Sequence, residues 1–172
     1  SASPHKWLMA PKGTGFLYVR DAIMDRVWST VTTHGWDQPQ LRAERFQHIG
    51  TSNVPALAGL KAAMDLANHI GMERIERRHR ALNDWLRNEM LRRGAEDWTG
   101  ESHGVRCAMV AVNTPPIEIM DIERALWAKY RIRIRGGAPY RIRLSTPYWL
   151  QRSDMQRFLE KFDEFKRNYR AA

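Results

Sequence analysis

Residues 1–20 read SASPHKWLMAPKGTGFLYVR, and the interpretation of the whole chain starts from this stretch. Lys6 lies between His5 and Trp7, behind small polar residues, and a glycine-containing turn follows soon after it. The apolar run at 16–19 predicts a short β-strand after that turn. An ordinary surface lysine requires no such neighbours, so the pattern singles out Lys6.

The residues around Lys6 can be explained by the chemistry of a reactive amine. A lysine becomes a nucleophile when burial or nearby positive charge lowers its pKa, and it can then condense with an aldehyde. Ser3 and His5 can donate hydrogen bonds to an anion, and Trp7 can shield the site from water. We therefore interpret Lys6 as a reactive amine; the alternative is a solvated loop lysine.

The segment resembles the lysine segment of the class V aminotransferases, a group of fold-type-I pyridoxal-phosphate enzymes. The group also contains the cysteine desulfurases and the isopenicillin-N-epimerase-like proteins. The shared pattern is a Ser, one residue, His-Lys, then a Gly-containing turn and an apolar strand. The resemblance implies pyridoxal 5′-phosphate (PLP) as the cofactor and Lys6 as the catalytic lysine of the internal aldimine. It also implies that Ser3 and His5 contact the cofactor phosphate.

A second segment, FQHIGTSNVPALAGL at 46–60, is similar to the family's Gly-Thr segment, which reaches the cofactor phosphate of the neighbouring subunit. A loop of small polar residues that opens a helix offers backbone N–H groups, hydroxyls and a positive dipole end to an anion. The resemblance thus makes Gly50 and Thr51 cofactor-binding residues and implies a homodimer. The alternative is a simple helix cap. We assign no role to His48.

A third segment, YRIRLSTPYW at 140–149, predicts a strand on which Arg141 and Arg143 share one face. The family's C-terminal motif of Arg, one residue, Ser and a later Tyr matches Arg143, Ser145 and Tyr148. By resemblance, Arg143 binds the α-carboxylate of an amino-acid substrate, as an arginine fork can. We expect Arg141 to face solvent or to lie behind the site. We expect the arginines at 131, 133 and 135 to form an exposed strand face.

Several site types are excluded. The loop RGGAPY, at 135–140, lacks the nucleophilic Cys that cysteine desulfurases carry there. Cys107, the only cysteine, is expected to be an inert packing thiol within a strand, which disfavours desulfurase activity by the usual route. The six histidines show no metal-ligand spacing, so no metal is expected. PKGTG lacks the spacing of a phosphate-binding P-loop.

Composition limits the partners and the compartment. The formal net charge is +9, but the arginines are spread along the chain without a nucleic-acid-binding motif, so nucleic acid is not expected as a partner. No apolar run approaches the ~20 residues of a membrane span, so no membrane is expected either. A single cysteine permits no internal disulfide and fits a reducing compartment, which predicts a cytoplasmic protein.

Hydrophobic periodicity predicts an α/β chain. A small apolar helix, capped by Asn53 or Ser52 and ended by Gly71, is expected to be buried, and a second helix follows at 72–93. The pattern continues with a strand at 104–113, a helix at 117–130, strands at 131–135 and 140–145, and a final helix opened by Ser153 and Gln156.

The resemblance divides the chain into the end of a large PLP-binding domain at 1–50, connecting helices at 51–99 and a small C-terminal α/β domain at 100–172.

The resemblance covers only the second half of the family's length. In the family, the aspartate on the pyridine nitrogen and the group stacked on the ring come from the part before the lysine. We therefore expect this chain alone to be catalytically incompetent. The leading hypothesis is a class V aminotransferase acting on amino acids and 2-oxo acids. The alternatives are an epimerase or lyase of the same family, a non-catalytic binding domain, and a sulfur carrier.

Overall fold

A computed structural model describes residues 1–47, 50–99, 107–137 and 139–169. The chain divides into two compact units, Ser1–His69 and Ile70–Ala172. The division into three domains, which the resemblance implies, follows the large and small domains of the family. That division stays a prediction. Across the described ranges, no helix combines the length and the apolar character that a lipid bilayer requires of a spanning segment.

The first unit consists of loops, two short 3-10 helices and one α-helix. The 3-10 helices are Asp21–Arg26 and Pro39–Phe46, and helix α1 is Val54–Ile70. Arg45 connects the two 3-10 helices, because its guanidinium donates to the carbonyl oxygen of Met24 at 3.1 Å. The same guanidinium lies 5.2 Å from the ring centroid of Trp36. The small core of this unit thus includes a buried arginine.

Two expectations for the first unit are wrong. The predicted strand at 16–19 is reduced to one isolated bridge between Ala2 and Phe16, and the side chains of Leu17 and Tyr18 are exposed. A strand needs a paired neighbour along its length, and Ala2 alone pairs with this run. Helix α1 forms where predicted, but only Leu60 and Ala67 are buried on it. Helix α1 is therefore rich in apolar residues, but most of its side chains are not buried in a core formed by the described residues.

The second unit is a two-layer α/β sandwich, which confirms the predicted α/β class. Its helices are α2 (Met72–Arg92), α3 (Ile119–Tyr130) and α4 (Arg152–Asn168). Its strands are β1 (Glu96–Asp97), β2 (Met109–Asn113), β3 (Arg135–Gly137) and β4 (Arg141–Ser145). The strands form one antiparallel sheet in the order β1, β2, β4, β3.

All three helices contribute to one hydrophobic core on a single face of the sheet. Alternate strand residues, among them Val110, Val112, Ile142 and Leu144, join side chains of α2, α3 and α4 in this core. Because strand side chains alternate, the other members of β2 and β4 point to the uncovered face. That face carries Arg141 and Arg143, so the sheet presents these two arginines on its side away from the helices.

The boundaries of several elements differ from the predictions. The run at 131–135 forms a strand only from Arg135, and the strand predicted at 104–113 begins at Met109, with 104–106 outside the described residues. Helix α4 is capped two residues earlier than predicted: the backbone N–H of Gln151 donates to Asp154 Oδ2 at 3.1 Å. Ser153 and Gln156 therefore lie inside the helix. The apolar face of α4 is formed by Met155, Phe158, Leu159 and Phe162, which are buried.

Candidate active site

The loop that carries Lys6 is closed by backbone hydrogen bonds. The N–H of Met9 donates to the carbonyl oxygen of Lys6 at 3.0 Å, and the N–H of Ala10 donates to Pro4 at 3.2 Å. Pro4 and Ala10 are buried, whereas Ser3, His5 and Lys6 are exposed. The buried residues fix the loop, so the three predicted site residues project from a closed turn.

The side chains of Ser3, His5 and Lys6 make no hydrogen bond or ion pair with another residue in the described ranges. A hydroxyl, an imidazole and an amine therefore stand close together in the chain with their hydrogen-bonding capacity unused. This set fits a phosphorylated aldehyde, since two groups can donate to the phosphate and one can attack the carbonyl carbon.

Gly50 and Thr51 lie immediately before α1. The cap of this helix is Asn53, whose Oδ1 accepts a hydrogen bond from the N–H of Ala56 at 3.1 Å. Thr51 is exposed, and Gly50 has a φ of +136°, which L side chains rarely adopt. Because Asn53 serves as the cap, the Thr51 hydroxyl is not used for that purpose, and His48 beside it lies outside the described residues.

Helix α1 packs directly against the turn that follows the Lys6 loop. A Cβ added to Gly59 would lie 2.5 Å from Cγ of Pro11. Glycine at this position lets the helix backbone approach the proline ring closely. Two parts of the predicted site, the Lys6 loop and the segment leading into α1, are thereby joined within the first unit.

Arg143 lies in the middle of β4, in the second unit. Its side chain is exposed and makes no hydrogen bond, ion pair or ring contact with any residue that the structure describes. Its neighbour on the same face, Arg141, is half-buried, with its guanidinium 3.9 Å from the ring centroid of Trp98. Arg141, which was expected to face solvent or to lie behind the site, is thus partly exposed and stacked on an indole, whereas Arg143 has no competing partner in the described ranges.

The turn after β4 is held by a residue that the sequence did not indicate. Arg78 on α2 donates to the carbonyl oxygens of Tyr148 and Leu150, both at 3.0 Å. His79 beside it lies with its ring 5.8 Å from that of Tyr148, and burial lowers the pKa of His79 from its usual value. In the sequence, Arg78 is one of four arginines at 74–80, and no pattern there distinguishes it from a residue on a solvated helix face.

Cys107 differs from its prediction. It precedes β2 rather than lying within it, and its side chain is exposed. The reason is that Asn83, which is buried on α2, donates to the carbonyl oxygen of Cys107 at 2.8 Å and fixes the chain just before the strand begins. Within the described ranges, no group of three or more His, Cys, Asp or Glu side chains is arranged to bind a metal ion.

Of the six predicted site residues, Ser3, His5, Lys6, Gly50 and Thr51 belong to the first unit and Arg143 belongs to the second. The sequence interpretation missed Arg135, which pairs directly with Arg143 across the sheet. The alternation of arginines along 131–135 was the available signal. It did not reveal the pairing, because the register between two strands is set by contacts that single-strand patterns do not contain.

Known proteins resemble this chain in sequence. The family described as "Aminotransferase class-V" matches residues 1–146. Isopenicillin N epimerase of Streptomyces clavuligerus is 24% identical over 183 residues, which cover 95% of this chain and 46% of that protein. The chain therefore spans about half the length of this curated relative.

Solved structures agree with the sequence match. The apo cysteine desulfurase of Thermococcus onnurineus has a TM-score of 0.79 and 22% identity, over 97% of this chain and 46% of that one. A C-DES mutant with glycine covalently linked to its PLP cofactor has a TM-score of 0.75 and 20% identity, over 92% of this chain and 44% of that one. These likenesses confirm the fold-type-I class that the sequence predicted, and with the family match they show that the chain belongs to the class V aminotransferase family.

Proposed function

We propose that the chain forms part of a PLP-dependent enzyme that transfers the amino group of an amino acid to a 2-oxo acid. The strongest support is the loop at 1–10, where Ser3, His5 and Lys6 are exposed and have no hydrogen-bond partner among the described residues. Membership of the class V family and the PLP-linked glycine in C-DES point the same way.

Each predicted residue has a role in this proposal. Lys6 would bond to the aldehyde carbon of the cofactor, while Ser3 and His5 would donate hydrogen bonds to its phosphate. Gly50 and Thr51 would contact the phosphate of the cofactor bound by the neighbouring subunit of a homodimer. When bound, PLP supplies an electron sink for the pair of electrons left when a bond to Cα breaks.

The remaining steps belong to the chain's own side chains. The Lys6 amine would serve as the base that takes the Cα proton and returns it. Arg143 would bind the substrate carboxylate through two parallel hydrogen bonds and so fix the orientation of Cα. Since Arg143 has no competing partner in the described ranges, binding a carboxylate would break no existing ion pair.

A second candidate function is epimerisation or β-elimination by the same site. The relatives named isopenicillin N epimerase and cystine C-S lyase favour it. Both reactions also begin with removal of the Cα proton, so they use the same residues. The products distinguish them: transamination yields a new amino acid from the 2-oxo acid, epimerisation inverts Cα, and elimination releases the side chain.

The test of the Lys6 assignment is chemical trapping. The protein is loaded with PLP, reduced with borohydride and digested, and the pyridoxyl group is located by mass spectrometry. We expect the label on Lys6, and we expect Lys6→Ala to lose the label in this chain and to lose turnover in the intact enzyme. Lys12→Ala removes the next exposed lysine of the same segment and serves as the matched control. A label that persists in the Lys6→Ala protein would contradict the assignment.

A further inference from the structure

The second unit contains a cavity of about 420 Å³ beside the carboxyl end of β4. Its apolar wall includes Leu86, Leu144, Met155 and Phe158, which come from α2, β4 and α4. Pockets that bind small molecules commonly have a volume of ~300–1,000 Å³ and mostly apolar walls. The cavity therefore has the size and the lining of a small-molecule site.

The polar part of the lining is strongly basic. One carboxylate, that of Asp154, lies among the lining residues, and it already accepts a hydrogen bond from the N–H of Gln151. A concave site lined by one sign of charge with low-dielectric walls concentrates its electric field. The ligand that suits this cavity is an anion. Five arginines are among the lining residues: Arg131, Arg133, Arg135, Arg143 and Arg157.

Three of these five arginines are already engaged. The guanidiniums of Arg131 and Arg133 each lie 5.5 Å from the ring centroid of Trp127. Arg157 donates to the carbonyl oxygen of Tyr130 at 2.9 Å. Arg135 and Arg143 are more available. Arg143 has no partner in the described ranges. Among the same residues, the guanidinium of Arg135 meets the Glu123 carboxylate alone, at 3.3 Å, and 60% of its side chain is exposed.

Arg135 and Arg143 are directly opposite each other in the register of β3 and β4. Opposed residues of an antiparallel pair project to the same face with their Cβ atoms ~4.5–5.5 Å apart, and like charges in these positions destabilise a sheet. The residue opposite Arg143 on its other side is Ala111, which offers no compensating charge. Arg135 and Arg143 are thus adjacent cations, and Glu123, at 3.3 Å from Arg135, is the one carboxylate of the described residues that pairs with either of them. An anion that binds both arginines stabilises them.

We propose that Arg135 and Arg143 bind the two carboxylates of one ligand, so that the amino-acid substrate of this enzyme carries an acidic side chain. The proposal rests on the proposed function, in which Arg143 holds the α-carboxylate. Arg135 then holds the side-chain carboxylate. Arg135 exchanges its weak contact with Glu123 for this stronger one.

The experiment compares two probes of equal length, glutarate and valerate, which carry two carboxylates and one. Their dissociation constants for the chain are measured by titration calorimetry at fixed pH and ionic strength. We expect glutarate to bind at least about tenfold more tightly, as an added charge-assisted fork implies. Arg135→Gln should remove this preference and leave valerate binding unchanged, whereas Arg143→Gln should weaken both probes.

Arg77→Gln is the matched control, because it removes the same charge from an exposed arginine that has one long ion pair, with Glu73 at 3.7 Å. Arg135→Lys keeps the charge without the fork and should retain part of the preference, so the test survives if Arg135→Gln does not fold. Equal affinity for the two probes, or an Arg135→Gln protein that behaves like the Arg77→Gln control, overturns the proposal.

The experiments distinguish failure of the dicarboxylate site from failure of the enzyme assignment. Selective glutarate binding that requires Arg135 supports the dicarboxylate site even if borohydride places no pyridoxyl group on Lys6, in which case the enzyme assignment is lost. A pyridoxyl group on Lys6 without selectivity for glutarate leaves the enzyme assignment in place and overturns the dicarboxylate site alone.

Discussion

His79 lies half-buried on the apolar side of α2, and burial lowers the pKa of its imidazole from 6.5. The unfolded chain therefore takes up a proton at a higher pH than the folded chain does. As the pH falls below about 6.5, proton uptake favours the unfolded state, and the free energy of unfolding should decrease.

This pH dependence can be assigned to His79 by substitution. Urea unfolding at pH 7.5, 6.5 and 5.5 should show a smaller loss of stability in His79→Gln than in the unsubstituted chain. His69→Gln, at an exposed position on α1, controls for the removal of a histidine. The assignment fails if the two variants lose stability with the same slope as the unsubstituted chain.

At the scale of single residues, the local sequence pattern predicted which way side chains point. It did not predict contacts between residues that are far apart in the sequence. Alternation along β4 correctly placed Arg141 and Arg143 on one face, since side-chain direction is a property of the strand itself. It could not foresee that Arg141 lies over Trp98, because that contact joins residues 43 positions apart through the sheet. The roles of Lys6, Ser3, His5, Gly50, Thr51 and Arg143 in binding stay predictions.

Among the elements, the hairpin of β3 and β4 depends on one glycine. A Cβ at Gly136 would overlap the carbonyl oxygen of Arg141 on the paired strand and would lie 2.7 Å from Cγ1 of Ile119. We expect Gly136→Ala to separate β3 from β4 and to lower the free energy of unfolding by about 2–3 kcal/mol, as overpacked positions do. A Cβ at Gly137 meets no atom within 4 Å.

Gly137→Ala is thus the matched control, and we expect its free energy of unfolding to stay within about 0.5 kcal/mol of the unsubstituted chain. Chemical denaturation of the two variants gives the comparison directly. If Gly136→Ala is as stable as Gly137→Ala, the close approach of the two strands is not as the structure describes it.

The helices were predicted more accurately than the strands, for a physical reason. A helix satisfies its backbone within one segment, so caps and apolar spacing suffice: Gly94 follows α2 as predicted, with its N–H donating to the carbonyl oxygen of Leu91 at 2.9 Å. A strand needs a partner, and the runs at 16–19 and 131–134 are apolar or alternating without one. Sequence pattern describes the strand's faces but not its neighbours.

On the scale of the whole chain, the two units differ in how much apolar surface they bury. The large hydrophobic core belongs entirely to the second unit. Among the described residues of the first unit, the buried apolar side chains are those of Pro4, Ala10, Met24, Leu60 and Ala67. Because burial of apolar surface is the main stabilising contribution to folding, the units should differ strongly in stability.

We therefore expect a polypeptide of residues 70–172 to fold by itself, with a single cooperative urea transition. A polypeptide of residues 1–69 should lack such a transition, and circular dichroism together with amide-proton exchange would show the difference. Ion pairs within the second unit support its independence, since Arg93, which follows α2, meets Asp163 on α4 at 3.0 Å. Cooperative unfolding of residues 1–69 alone would contradict this division of stability.

The stacking of Arg141 on Trp98 also makes the open face of the sheet optically visible. An indole 3.9 Å beneath a guanidinium, and 54% exposed, has an emission that depends on the position of that cation. A carboxylate that arrives at neighbouring Arg143 changes the field around Arg141 and so the brightness of Trp98. Subtracting the fluorescence of a Trp98→Phe protein, titrated in parallel, isolates this signal from the other tryptophans. The sheet thus contains its own reporter for anions on its uncovered face.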